Sequence, residues 1–190
     1  MTDTATTTTA TEATVTPQNY ILYRTAARMW QREYFYTDGI AYTPPAATVS
    51  EAVGTVVGVQ SFTSLTGVTA PEGYAYALDA DGKYPVGSIY TPSTEYTLSG
   101  ASTATAGTPL MLILTPNNDG PGTDTTVTLS DGNAGGTFSA DTVTFNGCTN
   151  TARTVTYTPK AAGTVTISVT NTGALTNPAN LSVAVAAATA

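Results

Sequence analysis

The feature that most constrains this 190-residue chain is an alternation near its C-terminal end. In Gly163-Thr-Val-Thr-Ile-Ser-Val-Thr170, apolar Val165, Ile167 and Val169 occupy every second position, and Thr164, Thr166, Ser168 and Thr170 fill the positions between. Side chains alternate across a strand with a period of two, so this passage places an apolar row on one face of a sheet and a hydroxyl row on the other. A helix would scatter both rows around its circumference. The pattern recurs upstream and downstream, giving strand expectations at 95–99, 109–115, 125–130, 136–139, 142–146, 152–158, 163–170 and 180–186. Turn-forming residues separate them: Asn117 to Gly122, Asp131-Gly132-Asn133, Asn146-Gly147, Pro159 to Gly163, and Asn171 to Pro178. Short alternating strands at this spacing, within the length of one sandwich domain, predict a Greek-key β-sandwich over residues 94–190.

Composition narrows the chemistry. Thr is 42 and Ala is 28, while Leu, Ile, Val and Phe together reach only 34, so the 11 Tyr have to supply core volume. With 0 His, imidazole acid–base chemistry and His-ligated metal sites are excluded, and a single Cys excludes an intrachain disulfide. Six basic against 13 acidic residues, net charge −7, argue against a nucleic-acid groove. No Gly-x-Ser-x-Gly elbow or nucleotide-binding glycine fingerprint is present. No cofactor and no enzymatic activity are expected.

Two further segments precede the sandwich. Residues 1–18 form a Thr-rich arm with almost no apolar surface, expected to order only against a neighbouring subunit. The arm has no basic start, apolar core or cleavage site, so the chain is expected to be made in a host cytoplasm without a signal peptide, and no apolar run is long enough to span a membrane. Residues 19–93 hold nine of the Tyr, the one Trp and four of the basic residues, and read as a small aromatic β-rich docking domain with one short helix. Leu22, Ala26, Met29, Trp30 and Tyr34 fall on one face of that helix, beside a stripe of Arg24, Arg28 and Arg32 at i, i+4, i+8. Asp38-Gly39 signals a tight hairpin turn. Short strands are expected at Val53 to Val59 and at Ser61 to Leu65, and a second hairpin runs from Tyr74-Ala-Tyr-Ala-Leu78 through Asp79 to Gly82 and back along Lys83 to Tyr90.

The candidate partner-docking residues are Arg24, Arg28, Arg32, Trp30 and Tyr34. Arg guanidinium groups fork carboxylates, and Trp, Tyr and Arg are the side chains enriched at interface hot spots. The same stripe also reads as a solvated helix face paired with Glu33 and Asp38. Asp79-Ala-Asp81-Gly82 departs from a calcium loop, because Lys83 and Tyr90 stand where oxygen ligands belong, and it reads as a turn. Asp119 and Asp124 flank a Gly-Pro-Gly loop that reads as a plain solvated loop, with calcium binding between sandwich strands the competing use. Tyr74, Tyr76, Tyr84, Tyr90 and Tyr96 read as core, with sugar stacking the competing use. Cys148, in an Asn-Gly-Cys-Thr-Asn turn, reads as an incidental free thiol.

Three passages carry a resemblance. Ser130-Asp-Gly-Asn-Ala-Gly-Gly-Thr-Phe-Ser139, Val155-Thr-Tyr-Thr-Pro-Lys-Ala-Ala-Gly-Thr-Val-Thr-Ile-Ser-Val-Thr170 and Asn171-Thr-Gly-Ala-Leu-Thr-Asn-Pro-Ala-Asn-Leu-Ser182 resemble immunoglobulin-like domains of bacterial surface proteins and tailed-phage structural proteins. The layout of arm, aromatic domain and sandwich is similar to that of capsid decoration and head-fibre proteins. The resemblance implies a mainly β protein with an immunoglobulin-like C-terminal half and no catalytic motif. It further implies a non-enzymatic virion protein on the outer capsid surface, contacting the major capsid protein or another virion protein and forming a homo-oligomer. Carbohydrate-binding or adhesive surface modules, with weak glycan contact, and tail or baseplate components share these features.

Overall fold

The computed structural model describes residues 15–32 and 45–189. Among them every regular element is a strand. The N-terminal part contains β1 (Gln18–Arg24), β2 (Arg28–Trp30), β3 (Thr48–Glu51), β4 (Val56–Phe62) and β5 (Tyr74–Leu78). The C-terminal part contains β6 (Tyr96–Gly100), β7 (Thr103–Thr105), β8 (Leu110–Pro116), β9 (Thr125–Ser130), β10 (Thr137–Phe138), β11 (Thr142–Phe145), β12 (Arg153–Thr158), β13 (Gly163–Asn171) and β14 (Leu181–Ala186).

The C-terminal strands form two sheets, in the orders β10-β12-β8-β6 and β11-β9-β13-β14-β7. Spatial neighbours are mostly not sequence neighbours, and β7 runs parallel to β14 while the other strand pairs are antiparallel. This is an immunoglobulin-like Greek-key sandwich. The alternation visible in the sequence sets its core. Leu110, Leu112 and Leu114 of β8 and Val155 and Tyr157 of β12 face Val127 and Leu129, Val165, Ile167 and Val169, and Val183 and Val185 of the opposing sheet. Hydrophobic burial supplies the driving force; the intervening Thr side chains keep the outer faces wet. Tyr157 organises the corner. Its hydroxyl donates to Asp131 Oδ2 at 3.1 Å, and that carboxylate also accepts from Gly136 N at 2.9 Å.

The N-terminal part differs from expectation at its first element. Residues 18–24 form the central strand of a three-stranded sheet, β4-β1-β5, and not the start of a helix. Tyr20, Ile21 and Tyr23 are buried on both faces of β1, so successive positions are apolar and the period of two disappears. The aromatic and β-branched side chains then favour the pleated conformation over the helical spacing that the same residues permit. After a bend, β2 pairs with β3 as a separate two-stranded ribbon. A single strand, β4, replaces the two short strands expected at 53–59 and 61–65. The return leg from Lys83 to Tyr90 forms no strand; it meets the start of β4 through one isolated bridge, Thr55 to Ile89, and the backbone bonds beside it. Tyr34 and the Asp38-Gly39 turn lie outside the described residues.

The two parts share a core. Ile21, Tyr23, Val56, Ala77, Tyr84 and Tyr90 pack with Cys148, which comes from the sandwich loop between β11 and β12. Tyr90 stacks edge-on against Tyr23 and Tyr84, with ring centroids 5.0 and 5.2 Å apart. Its hydroxyl donates to Gly120 O at 2.9 Å. Leu78 N bonds Gly122 O and Cys148 N bonds Pro121 O, each at 2.8 Å. The loop at 117–122 is therefore a hydrogen-bonded wedge between the small sheet and the sandwich.

Candidate interaction surface

The basic stripe of the sequence is not one face of a helix. Arg24 closes β1, Arg28 opens β2, and Arg32 follows the ribbon on the surface. Glu51, at the end of β3, gathers the first two. Arg24 Nε donates to Glu51 Oε2 in a close charged hydrogen bond, and Arg28 Nη1 lies 3.5 Å from Oε1. The two arginines differ in setting. The Arg24 side chain is 12% exposed and its guanidinium stacks on the Tyr74 ring at 4.9 Å, whereas the Arg28 side chain is 63% exposed. Arg24 is thus a structural anchor, and Arg28 is the basic group presented outward beside Glu51.

Beyond this anchor the ribbon projects. Register pairs Arg28 with Glu51, Met29 with Val49 and Trp30 with Thr48. Ser50 Oγ donates to Arg28 O at 3.0 Å and Gln31 Nε2 to Pro45 O at 3.1 Å, which holds the strands together from outside the ladder. Met29 and Trp30 are 54% and 57% exposed, and Val49 is similarly open. Three large apolar side chains on one short ribbon, Trp30 among them, mark it as a candidate contact surface. Arg28 and Trp30 share the short strand β2 and not the expected helix; Arg24 is withdrawn into the base.

The acidic candidates serve local structure. Asp79 is buried, accepting from Lys83 N and Tyr84 N, both at 2.9 Å, and so caps the turn. Asp119 Oδ2 accepts from Thr91 N and Asp124 Oδ1 from Gly147 N, each at 2.9 Å. Among the described residues no three His, Cys, Asp or Glu side chains are grouped to hold a metal ion. Tyr84, Tyr90 and Tyr96 are buried, so their ring faces are closed to a sugar. Cys148 is a free thiol in its turn, as read, but it is buried as a core residue; burial, with the charge of Asp79, pushes its pKa up to about 12.

With this geometry the chain is defined as a two-part all-β protein: a small three-stranded sheet bearing a ribbon, fused to an immunoglobulin-like sandwich. No protein-family model matches it, and no curated protein does. Among solved structures it is similar to the D0-D1 domain of intimin, at 12% identity over 93% of this chain and 86% of that chain, TM-score 0.36. It is also similar to the D00-D0 domain of intimin, at 14% identity over 90% and 87%, TM-score 0.35. A third similar structure is domains 4 and 5 of the S-layer protein SbsC, at 17% identity over 74% of this chain and 69% of that chain, TM-score 0.34. The immunoglobulin-like assignment rests on the strand order and core of the sandwich itself.

Proposed function

We propose that the chain is a non-enzymatic structural protein that acts by binding, with the β2–β3 ribbon as its docking element and the sandwich as the displayed element. The observation that carries this reading is the ribbon, which holds Met29, Trp30 and Val49 in solvent on a base fixed by Glu51. An isolated two-stranded ribbon is marginal in water and gains stability when a partner covers it. Trp beside Arg is the side-chain combination on which interface energy concentrates.

In its specific form the reading is decoration of a tailed-phage capsid. The N-terminal part seats on the shell, against the major capsid protein or another virion protein, and the sandwich points outward. The Thr-covered sandwich and the net charge of −7 suit an outer surface that has to stay soluble at high copy number. A repeating shell also makes a weak ribbon contact sufficient, because neighbouring copies raise the effective concentration.

Peptide mass spectrometry across a density gradient of the source culture tests this. Co-banding with full, nuclease-resistant particles is expected. Recovery only in soluble or envelope fractions overturns it and favours the adhesive reading. Arg28→Glu is expected to abolish particle binding while the purified protein keeps its circular dichroism spectrum. Unchanged binding removes the ribbon from the docking surface.

A further inference from the structure

A second surface is built into the small sheet, away from the ribbon. β4 is an outer strand, and among the described residues no strand lies beyond it. The direction of its free backbone groups follows from the bonds of β1. Asp79 N bonds Asn19 O and Thr25 N bonds Gly73 O, each at 2.9 Å, so odd-numbered residues of β1 turn toward β5. Arg24 N bonds Thr55 O at 3.0 Å and Gly54 N bonds Arg24 O at 2.8 Å, so even-numbered residues turn toward β4. Tyr20 is opposite Gln60 and Leu22 opposite Gly58. Gln60 and Gly58 therefore bond inward, and the N–H and C=O groups of Val59 and Ser61 point away from the sheet. The 85–88 loop closes only the start of this edge, through Val56 N to Ser88 O at 2.9 Å and Gly87 N to Val56 O at 2.8 Å.

Edge strands are ordinarily blunted by lysine, proline or charge pointing outward. β4 reads Val56-Val-Gly-Val-Gln-Ser-Phe62 and has none of these; its one register shift, which skips Val57 opposite Leu22 and Tyr23, lies at the start of the strand, and the uncharged run extends over residues 52–71. Val59 is 48% exposed. The charge distribution selects the occupant. The chain as a whole carries −7, so two copies meeting over most of their surface oppose carboxylates, whereas along β4 they oppose none. An antiparallel strand pair about a two-fold axis is self-complementary, every donor on one copy meeting the matching acceptor on the other.

We propose that β4 pairs antiparallel with β4 of a second copy of this chain, centred on Val59, so that the two small sheets join into one continuous six-stranded sheet. Val59 then faces its own counterpart, and Ser61 of each copy meets the bulged Val57 of the other. The pairing uses a surface separate from the ribbon, and its failure leaves the docking reading untouched.

The test is sedimentation equilibrium of the full chain with hydrogen exchange at single-residue resolution. The unmodified protein is expected at twice the chain mass, with the Val59 and Ser61 amides protected. Val59→Lys and Ser61→Lys place a charge on the edge at exposed side chains. Each is expected to halve the mass and to speed exchange at those two amides by at least about tenfold, leaving the exchange of sandwich amides unchanged. A monomeric unmodified protein overturns the proposal, even if the edge is protected, because the chain then covers β4 itself. A dimer whose mass neither variant changes also overturns it.

Discussion

Gly120 concentrates the junction into one backbone position. Its φ of +95° lies in the left-handed region, and a Cβ there would sit 2.3 Å from the backbone N and O of Thr149. Its carbonyl accepts from both Tyr90 Oη and Ser93 N. Gly120→Ala therefore has to move either the 117–122 loop or Thr149, and either movement breaks the seat of Tyr90. Urea denaturation should show a loss of about 3 kcal/mol or more, the range of a combined backbone clash and lost buried hydrogen bond. Cys148, in the same region, is held at φ 52° with its thiol in the small core. The thiolate is the reactive form of cysteine, and burial disfavours it. Iodoacetamide at about pH 8 should leave the native thiol unmodified and label it fully once denaturant opens the core. Nothing local in the sequence signals this role. The partners of Cys148 lie at residues 21–90, and only the assembled fold brings them to it.

At the level of elements, legibility followed solvent. Each sandwich strand buries one face and wets the other, so Val and Thr separate cleanly and the expected spans match β6 and β8–β14 to within a residue or so. β1 is covered on both sides, and its run of Tyr-Ile-Leu-Tyr carries no alternation to distinguish a strand from a buried helix. The arginine spacing then matched a helical stripe by coincidence. What the sequence did make visible at the site is the residue chemistry: Arg28 and Trp30 are exposed, though on a strand and not on the expected helix. What it hid is Glu51, which converts Arg24 into an anchor from 27 positions away. Glu51→Gln weakens that anchor without emptying it. Because the pair is partly solvated, the global cost should stay below about 1 kcal/mol. The amides of Met29 and Trp30 should nevertheless exchange faster, since Glu51 is the side chain that ties the end of β3 to both Arg24 and Arg28. Unchanged exchange at those amides would mean that the ladder to β3, and not the ion pair, fixes the ribbon.

On the scale of the whole molecule, the shared core couples the two parts. Tyr90 is fully buried between a sandwich loop and the small sheet, and Cys148 completes the packing from the other side of the junction. Calorimetry should therefore show one unfolding transition, not two. The same buried groups set the pH response. Burial pushes the Tyr157 hydroxyl, also held by Asp131, up to about 12, and Cys148 up to about 12; Tyr23, Tyr84, Tyr90 and Tyr96 are raised as well. The ordinary values in an unfolded chain are 9.0 for the thiol and 10.0 for tyrosine, so as pH rises the unfolded state loses its protons first. Proton release from the unfolded state draws the equilibrium toward it. The contribution of these groups is fully present below about pH 9 and falls away as pH climbs through about 12. The urea midpoint should hold level up to the thiol range and then drop steeply, because several tyrosines contribute to the slope together. The tyrosinate signal of Tyr90, read as the difference between the unmodified protein and Tyr90→Phe, should appear in step with loss of the folded spectrum. Ionisation of Tyr90 in a protein that keeps its fold would mean that this hydroxyl reaches solvent without opening the core, and would contradict its packing at the junction.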